Sequence, residues 1–462
     1  VQRHIGRYEA LHGPYPFAKF AVVENFFPTG YGFPSFTLLG SRVLRLPFIP
    51  DTSLRHEVAH CWWGNGVLVD ANGGNWCEGL TTYVADYLSK EEHSFEEARD
   101  YRLRTLEKYA LLAAGAQDFP LSTFRSRYNP ASQAVGYGKA MFVFHMMRLW
   151  IGDEAFWAVL RDIYAERLYK RTRWGDFMDA FAEKGGLSRH EVRTFHDQWI
   201  TRPGALQLAM DSLRVVSAAG RPQVEGVLIQ KSPRFNVHVP VEVTDASASR
   251  RENVTLDDST ATFSIQMQEA PRTIAADPDF DVFRLLYPGE IPATVNAVKG
   301  ASTLAAVLAD DSPEPWAEIF RGLLMGLNHG GIEIWSESRF AAEDSAGKDV
   351  LFFGMPKREK GRNLLSELGD AAVFSAGAFQ VGEDISSRNA DTLFAVFKRN
   401  RRLVAVFLSL AGTDVETVVR TARKITHYGR YGRLSFKDGV NTGKSVGEAS
   451  GSPLVIDLEK GS

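Results

Sequence analysis

Cysteine is scarce in this chain: Cys61 and Cys77 are the only two among 462 residues. Two thiols make no disulfide framework. Both flank candidate metal ligands described below, so a local disulfide and a pair of buried thiols both stand, with the strong burial tendency of Cys favouring thiols. Long hydrophobic runs are lacking too. No stretch approaches the roughly 18 apolar residues of a membrane span, so no transmembrane segment is expected. Charge of one sign is also missing: 53 Lys+Arg against 56 Asp+Glu leave a net charge of −3. That balance gives no global attraction to nucleic acid or an anionic membrane, and neither is expected as a partner. The chain opens on Val1 rather than Met and shows no signal peptide, so removal of an upstream segment is expected. A cell-envelope or secreted location would follow from a removed signal peptide, a cytoplasmic one otherwise.

What is present is ordinary for a globular protein: 44% hydrophobic and 24% charged residues. At about 150 residues per domain the length suggests roughly three domains, each with a sizeable core. Residues 1–204 are aromatic-rich and read as mostly helical after residue 50. Residues 97–114 are a long stretch of helix formers, apolar residues recur at helical spacing over 139–149 and 154–164, and 181–199 reads as a helix pair with Gly185-Gly186 as the break. From 205 to 288 the pattern turns short and alternating (224–230, 235–243, 253–256, 261–265), which predicts a small β-sandwich. From 289 to 462, strand-like runs at 332–335, 350–353, 371–374, 393–397 and 403–410 alternate with helical segments at 316–327 and 414–425. That alternation predicts an α/β domain of unassigned role. No GxGxxG or GxxxxGK[ST] follows any of its strands, so the expectation there is a structural or interaction module. His427–Gly432 is expected to be a loop into a last strand at 434–436, and the Gly/Ser-rich stretch 442–452 a loop or tail. The fold class expected is multidomain α+β.

The segment with chemical content is His56-Glu57-Val58-Ala59-His60. On a helix, residues four apart share a face, so His56 and His60 can bridge one Zn²⁺ while Glu57 lies beside the metal, off its coordination sphere. There a carboxylate can take a proton from an activated water. Five residues with three fixed positions are a moderate signal, since a solvent-facing turn gives the same string. The flanks Val58, Ala59, Trp62 and Trp63 argue against solvent. Burying two histidines and a glutamate among them without a partner would cost several kcal/mol. A catalytic zinc takes three protein ligands. Glu78 follows His60 after 17 intervening residues and opens a second helix-like run. Asp70, in a loop, is the competing third ligand.

With these residues in view, the sequence resembles the gluzincin aminopeptidases, the aminopeptidase N and leukotriene hydrolase family. The resemblance lies in His56–Asn65 and in Glu78-Gly79-Leu80-Thr81-Thr82-Tyr83. The spacing between the two is one residue short of the family's, and Cys77 stands where Asn is usual. It implies a thermolysin-like, mostly helical zinc peptidase domain over 1–204 whose partner is a peptide substrate. Ala21-Val22-Val23-Glu24-Asn25 resembles the family's GAMEN strand. This implies that Glu24 holds the substrate's α-amine and that Asn25 touches its backbone. Tyr137-Gly138-Lys139-Ala140 resembles the Tyr-x-Lys-Gly motif, implying that Tyr137 steadies the oxyanion, with Ala140 a departure from Gly. Arg42 and Arg45 read as structural.

The likeness does not extend to 290–462, so no carboxylate-binding arginine carries over from the family's helical C-terminal domain. The family also has a β-domain ahead of the GAMEN strand, which implies that the chain is a fragment or processed form and that the missing N-terminal segment is its natural partner. The function expected is zinc-dependent removal of N-terminal residues with Glu57 as general base. The rivals are an inactive peptidase-fold scaffold, another hydrolase such as an epoxide-opening enzyme, and an endopeptidase. The last is favoured if Glu24 lies away from the metal.

Overall fold

The computed structural model describes residues 1–26, 30–218, 220–343, 347–366, 372–375, 378–381, 385–386, 390–399, 402–410, 412–447 and 449–459. By its contacts the chain forms two compact units. One holds Val1–Leu285 together with the strand Val455–Asp457, the other Leu286–Ser452. Helix and sheet are mixed in both, as the α+β expectation requires. Among the described residues no helix is long and apolar enough to cross a membrane.

The first unit opens on a helix, Gln2–His12, ahead of a three-stranded sheet of β1 (Ala21–Asn25), β2 (Gly30–Phe33) and β3 (Phe36–Gly40). β3 lies in the middle, parallel to β1 and antiparallel to β2, so β1 and β2 are opposite edges. The helices follow: α1 (Ser53–Ala59), α2 (Cys77–Thr81), α3 (Phe95–Leu112), α4 (Ala140–Ile151), α5 (Asp153–Arg167), α6 (Trp174–Gly185) and α7 (Arg189–Trp199). α6 ends at Gly186, whose φ of 67° suits glycine, and α7 restarts with Ser188 as its N-cap. α3, α4, α5 and α7 lie where helices are expected at 97–114, 139–149, 154–164 and within 181–199, while α6 begins at Trp174, ahead of the expected start at 181. Two short segments wind wider than α: Thr82–Tyr87 after α2 and Ala134–Lys139 before α4 are π-helical. Such turns re-aim side chains and occur often near functional residues.

α2 and α4 cross at Gly79. A Cβ placed there would lie 2.2 Å from the Ala140 Cβ, so only glycine permits the approach. Around the crossing, Trp62, Trp63, Trp76 and Trp174 are fully buried, and Phe177 packs on Trp76 with ring centroids 4.9 Å apart. A buried polar group ties these helices to the strands that follow. Arg102 of α3 donates to the Tyr87 hydroxyl (2.6 Å) and to the Asp279 carbonyl (3.0 Å), and pairs with Asp281 at 3.1 Å. His145 of α4 reaches the same Asp281 carboxylate at 3.1 Å.

The strands are β4 (Leu208–Ala218), β5 (Arg221–Gln230), β6 (Val237–Thr244), β7 (Ser249–Leu256), β8 (Thr260–Gln266), β9 (Thr273–Ala276). They form two antiparallel sheets, β8-β5-β4 and β7-β6-β9, the second extended by Val455–Asp457 on β9. Alternation buries Val239, Val241 and Val243 on one face of β6, as period-two patterning requires.

The second unit carries β10 (Leu304–Leu308), β11 (Ile334–Ser336), β12 (Asp349–Phe353), β13 (Thr392–Arg399), β14 (Arg402–Ser409), β15 (Arg433–Lys437) and β16 (Val440–Ser445). They pair in the order β11-β10-β12-β14-β13-β15-β16. The first four are parallel and the rest antiparallel. Phe353 and Phe407 stack across the centre at 4.3 Å. The helices expected at 316–327 and 414–425 run Glu314–Gly326 and Val415–Ile425. Two strands of this sheet differ from expectation. β10 was not foreseen, and Val440–Ser445 is a strand where a loop was expected. Its side chains are mostly polar, yet β15 supplies the hydrogen-bond partners an edge strand needs. Of the strand expected at 371–374, residue 371 lies outside the described residues, and Ala372–Ser375 is a strand.

The crossing yields a prediction. Gly79→Ala should overpack α2 on α4 and cost about 1–3 kcal/mol, read by urea denaturation. An unchanged midpoint would mean that the helices separate without penalty.

A candidate metal centre

His56 sits in the last turn of α1, and His60 caps the helix while keeping helical angles (φ −58°, ψ −19°). The four-residue spacing therefore holds, and the two rings meet edge to face with centroids 4.8 Å apart. Each ring spends one nitrogen on the protein. His56 Nδ1 donates to Asp86 Oδ2 at 3.0 Å, and His60 Nδ1 to the Trp63 carbonyl at 3.0 Å. Those bonds fix both tautomers and leave both Nε2 atoms as lone-pair donors. Glu78, in the first turn of α2, brings Oε2 to 3.5 Å from each of those Nε2 atoms. The three ligand atoms lie within 4.8 Å of one another, and no other such group occurs among the described residues. Two imidazole nitrogens and one carboxylate oxygen, each held by a second partner or a helix, fit the donor set and the closeness that a catalytic zinc needs.

These groups also act on one another electrostatically. Burial pulls His56 down, but the Asp86 carboxylate outweighs it and pushes the ring up to about 10. Burial pushes the Glu78 carboxyl up, and His56 and His60 outweigh that, holding it far below the usual range. Glu57 projects beside this trio. Burial raises its carboxyl above the usual range, with His60 and His56 opposing. Its roof is the edge strand β2: a Cβ on Gly32 would stand 2.7 Å from Glu57 Oε2, and one on Gly30 3.1 Å from Oε1. Tyr137, in the second π-helical segment, has Glu78 as its hydrogen-bond partner, and burial pushes its phenol up. These residues share one open cavity of about 840 Å³, lined also by Asn65, Cys77, Asp86, Ser126, Arg127 and Gln133.

The structure thus brings together His56, Glu57, His60, Glu78 and Tyr137, and leaves Glu24 and Asn25 out of the cavity lining. β1, which carries them, is the edge away from β2. Glu24 accepts from Arg45 at 2.7 Å, and that pair gives Arg45 the structural part expected of it. The Asn25 carbonyl accepts from Ser41 Oγ at 3.1 Å. Asp70, the rival third ligand, pairs with Arg173 at 2.6 Å and caps the Asn72 amide. Cys61 and Cys77 are both buried and free. Sequence reasoning missed Asp86 and the Gly30–Gly32 strand. Asp86 left a signal, since it follows Glu78 by eight residues, about two helical turns.

Comparison with known proteins adds a family. Residues 51–199 match the peptidase family M1 domain. Aminopeptidase N of Lactococcus lactis subsp. lactis is 28% identical over 157 residues, 32% of this chain and 18% of that protein. The alanine/arginine aminopeptidase of Saccharomyces cerevisiae is 26% identical over 33% of this chain and 18% of its own length. Human aminopeptidase N is 26% identical over 41% of this chain and 20% of its own. The match thus spans about a fifth of these relatives.

Asp86 supplies the test of the centre. Asp86→Ala frees the His56 ring to rotate and change tautomer. Zinc affinity should fall about 10- to 100-fold, measured by competition with a chromophoric chelator. Equal affinity would remove Asp86 from the site.

Proposed function

We propose that this chain, which belongs to the gluzincin aminopeptidase family through its peptidase family M1 segment, is a zinc-dependent metallopeptidase of the aminopeptidase type. The observation that carries this reading is the convergence of His56 Nε2, His60 Nε2 and Glu78 Oε2 beside the half-buried Glu57 carboxylate. Those three atoms would hold the zinc. When bound, zinc supplies Lewis acidity to a water and to the scissile carbonyl.

The rest is done by the chain. Glu57 accepts the proton of the attacking water and passes it to the leaving amine, a role its raised pKa suits. Tyr137 donates its hydroxyl to the developing oxyanion, its phenol kept protonated by burial. The Gly30–Gly32 backbone covers Glu57 without a side chain and limits water around it. We further propose that 1–204 forms the catalytic domain, 205–288 a β-sandwich and 289–462 an α/β module of unassigned role.

One observation favours a second reading. A family aminopeptidase needs an acidic group on the substrate's ammonium, and Glu24 is paired with Arg45 outside the cavity lining. An endopeptidase needs no such anchor.

Two measurements separate these readings. Glu57→Gln should keep about one zinc per chain and lose roughly 10²- to 10⁴-fold in kcat on peptides, while Glu78→Ala should lose the metal. A chain that binds no zinc after reconstitution would be a scaffold. Matched peptides with free and acetylated N-termini decide the rest: cleavage of the free one alone fits the aminopeptidase, and equal cleavage fits the endopeptidase.

A further inference from the structure

Eighteen residues line the metal cavity, and Arg127 is the one Lys or Arg among them. The cavity's carboxylates belong to other partners: Asp86 to His56, Glu78 to His56 and His60. Glu57 faces β2. The exposed guanidinium of Arg127 has no ion-pair partner among the described residues. An exposed arginine without a partner is ordinary on a convex surface. In a cavity that holds the candidate metal centre it is a cation available to a ligand.

One further observation separates Arg127 from a surface side chain. Its loop is fixed on both sides. The Arg125 carbonyl accepts from Asn75 Nδ2 at 2.9 Å. The amides of Tyr128 and Asn129 both donate to Ser132 Oγ at 3.0 Å. The loop then enters Pro130–Gln133 through an Asn129 capping box, and the π-helical turn bearing Tyr137 follows directly. A cation on a fixed loop near the group proposed to meet the scissile carbonyl can recognise an anion a few bonds away on the same ligand.

We propose that Arg127 is a specificity residue that takes a substrate carboxylate, so that the site prefers peptides carrying a C-terminal carboxylate or an acidic side chain close to the scissile bond. This rests on the peptidase reading for the ligand being a peptide. The guanidinium presents a planar fork that matches a carboxylate bidentately.

The test reads binding, not turnover. The zinc-loaded Glu57→Gln chain is titrated by calorimetry with tetra-alanine as free acid and as C-terminal amide. A second pair, amidated tetra-alanine with Glu or Gln at an internal position, separates a side-chain carboxylate from a terminal one. At least one acid form should bind about 10- to 100-fold tighter than its neutral twin, the range of a charge-assisted hydrogen bond. Adding Arg127→Gln should bring that ratio close to one, and Arg127→Lys should restore part of it. Equal binding of both twins in both pairs, or a ratio that survives Arg127→Gln, overturns the assignment. A preference found in a parent chain that cleaves no peptide would leave Arg127 in this role while removing the peptidase reading, so the two fail separately.

Discussion

The site depends on one close contact, the crossing of α2 on α4 at Gly79. A helix pair normally keeps its axes 8–10 Å apart because side chains stand between them. Here Gly79 has no Cβ and Ala140 little more than one. Glu78 precedes Gly79, and Tyr137 lies three residues before Ala140. The contact therefore fixes two side chains of the candidate site at once, one on α2 and one on the π-helical turn that leads into α4. The same logic accounts for Ala140, which stands where the resembled motif has glycine: the methyl meets a glycine on the facing helix.

Position alone does not make a ligand. A histidine can offer either nitrogen, and the unused one must be tied down. Asp86 and the Trp63 carbonyl do this for His56 and His60 by hydrogen bonds of 3.0 Å each. The Trp63 carbonyl is available because α1 ends at Ala59 and the backbone beyond His60 no longer continues the helix. Asp86 is available because Thr82–Tyr87 winds as a π-helix, which shifts the phase of the side chains after Glu78. The metal trio thus rests on how two short helices end, not only on where its residues fall in the sequence.

This explains what was legible beforehand. His56, Glu57 and His60 share one helical turn, so local periodicity fixes their relation whatever the tertiary fold. Glu78 could be inferred because 17 residues suffice for one turn and a return. Helices α4 and α5 were visible through their apolar stripes, α3 through its helix formers, and β12, β13 and β14 through apolar runs, whereas the start of α6 at Trp174 was not. Glu24 and Asn25 were assigned by likeness of a short segment. Whether that segment faces the site depends on strand order, and the order β1-β3-β2 sets β1 at the far edge. Strand order arises from pairing between segments and leaves no local trace in five residues. β10 escaped because Leu304-Ala305-Ala306-Val307-Leu308 is too short and alanine-rich to separate strand from helix. β16 escaped because an edge strand can be polar when its neighbour supplies the hydrogen bonds.

The edge strand β2 shows how backbone can take over a task that is usually given to side chains. In the proposed role of general base, Glu57 would have to be dry enough for its pKa to rise and open enough to meet a water and a leaving group. A bulky apolar lid would meet the first need and obstruct the second. Glycines at 30 and 32 meet both, since they bring backbone against the Glu57 carboxylate with no side chain of their own in the cavity. The cost is conformational entropy in the unfolded chain, and pairing with β3 at Leu39 and Thr37 offsets part of it by holding the strand extended. An alanine at position 32 would stand 2.7 Å from a carboxylate oxygen. The strand would have to retreat or the carboxylate to turn, and either change opens the site to water. Histidines and carboxylate on helices, glycines on a strand some twenty-five residues earlier, and a phenol on a later turn form one arrangement. Within it, glycine at 32 is as specific a requirement as glutamate at 57.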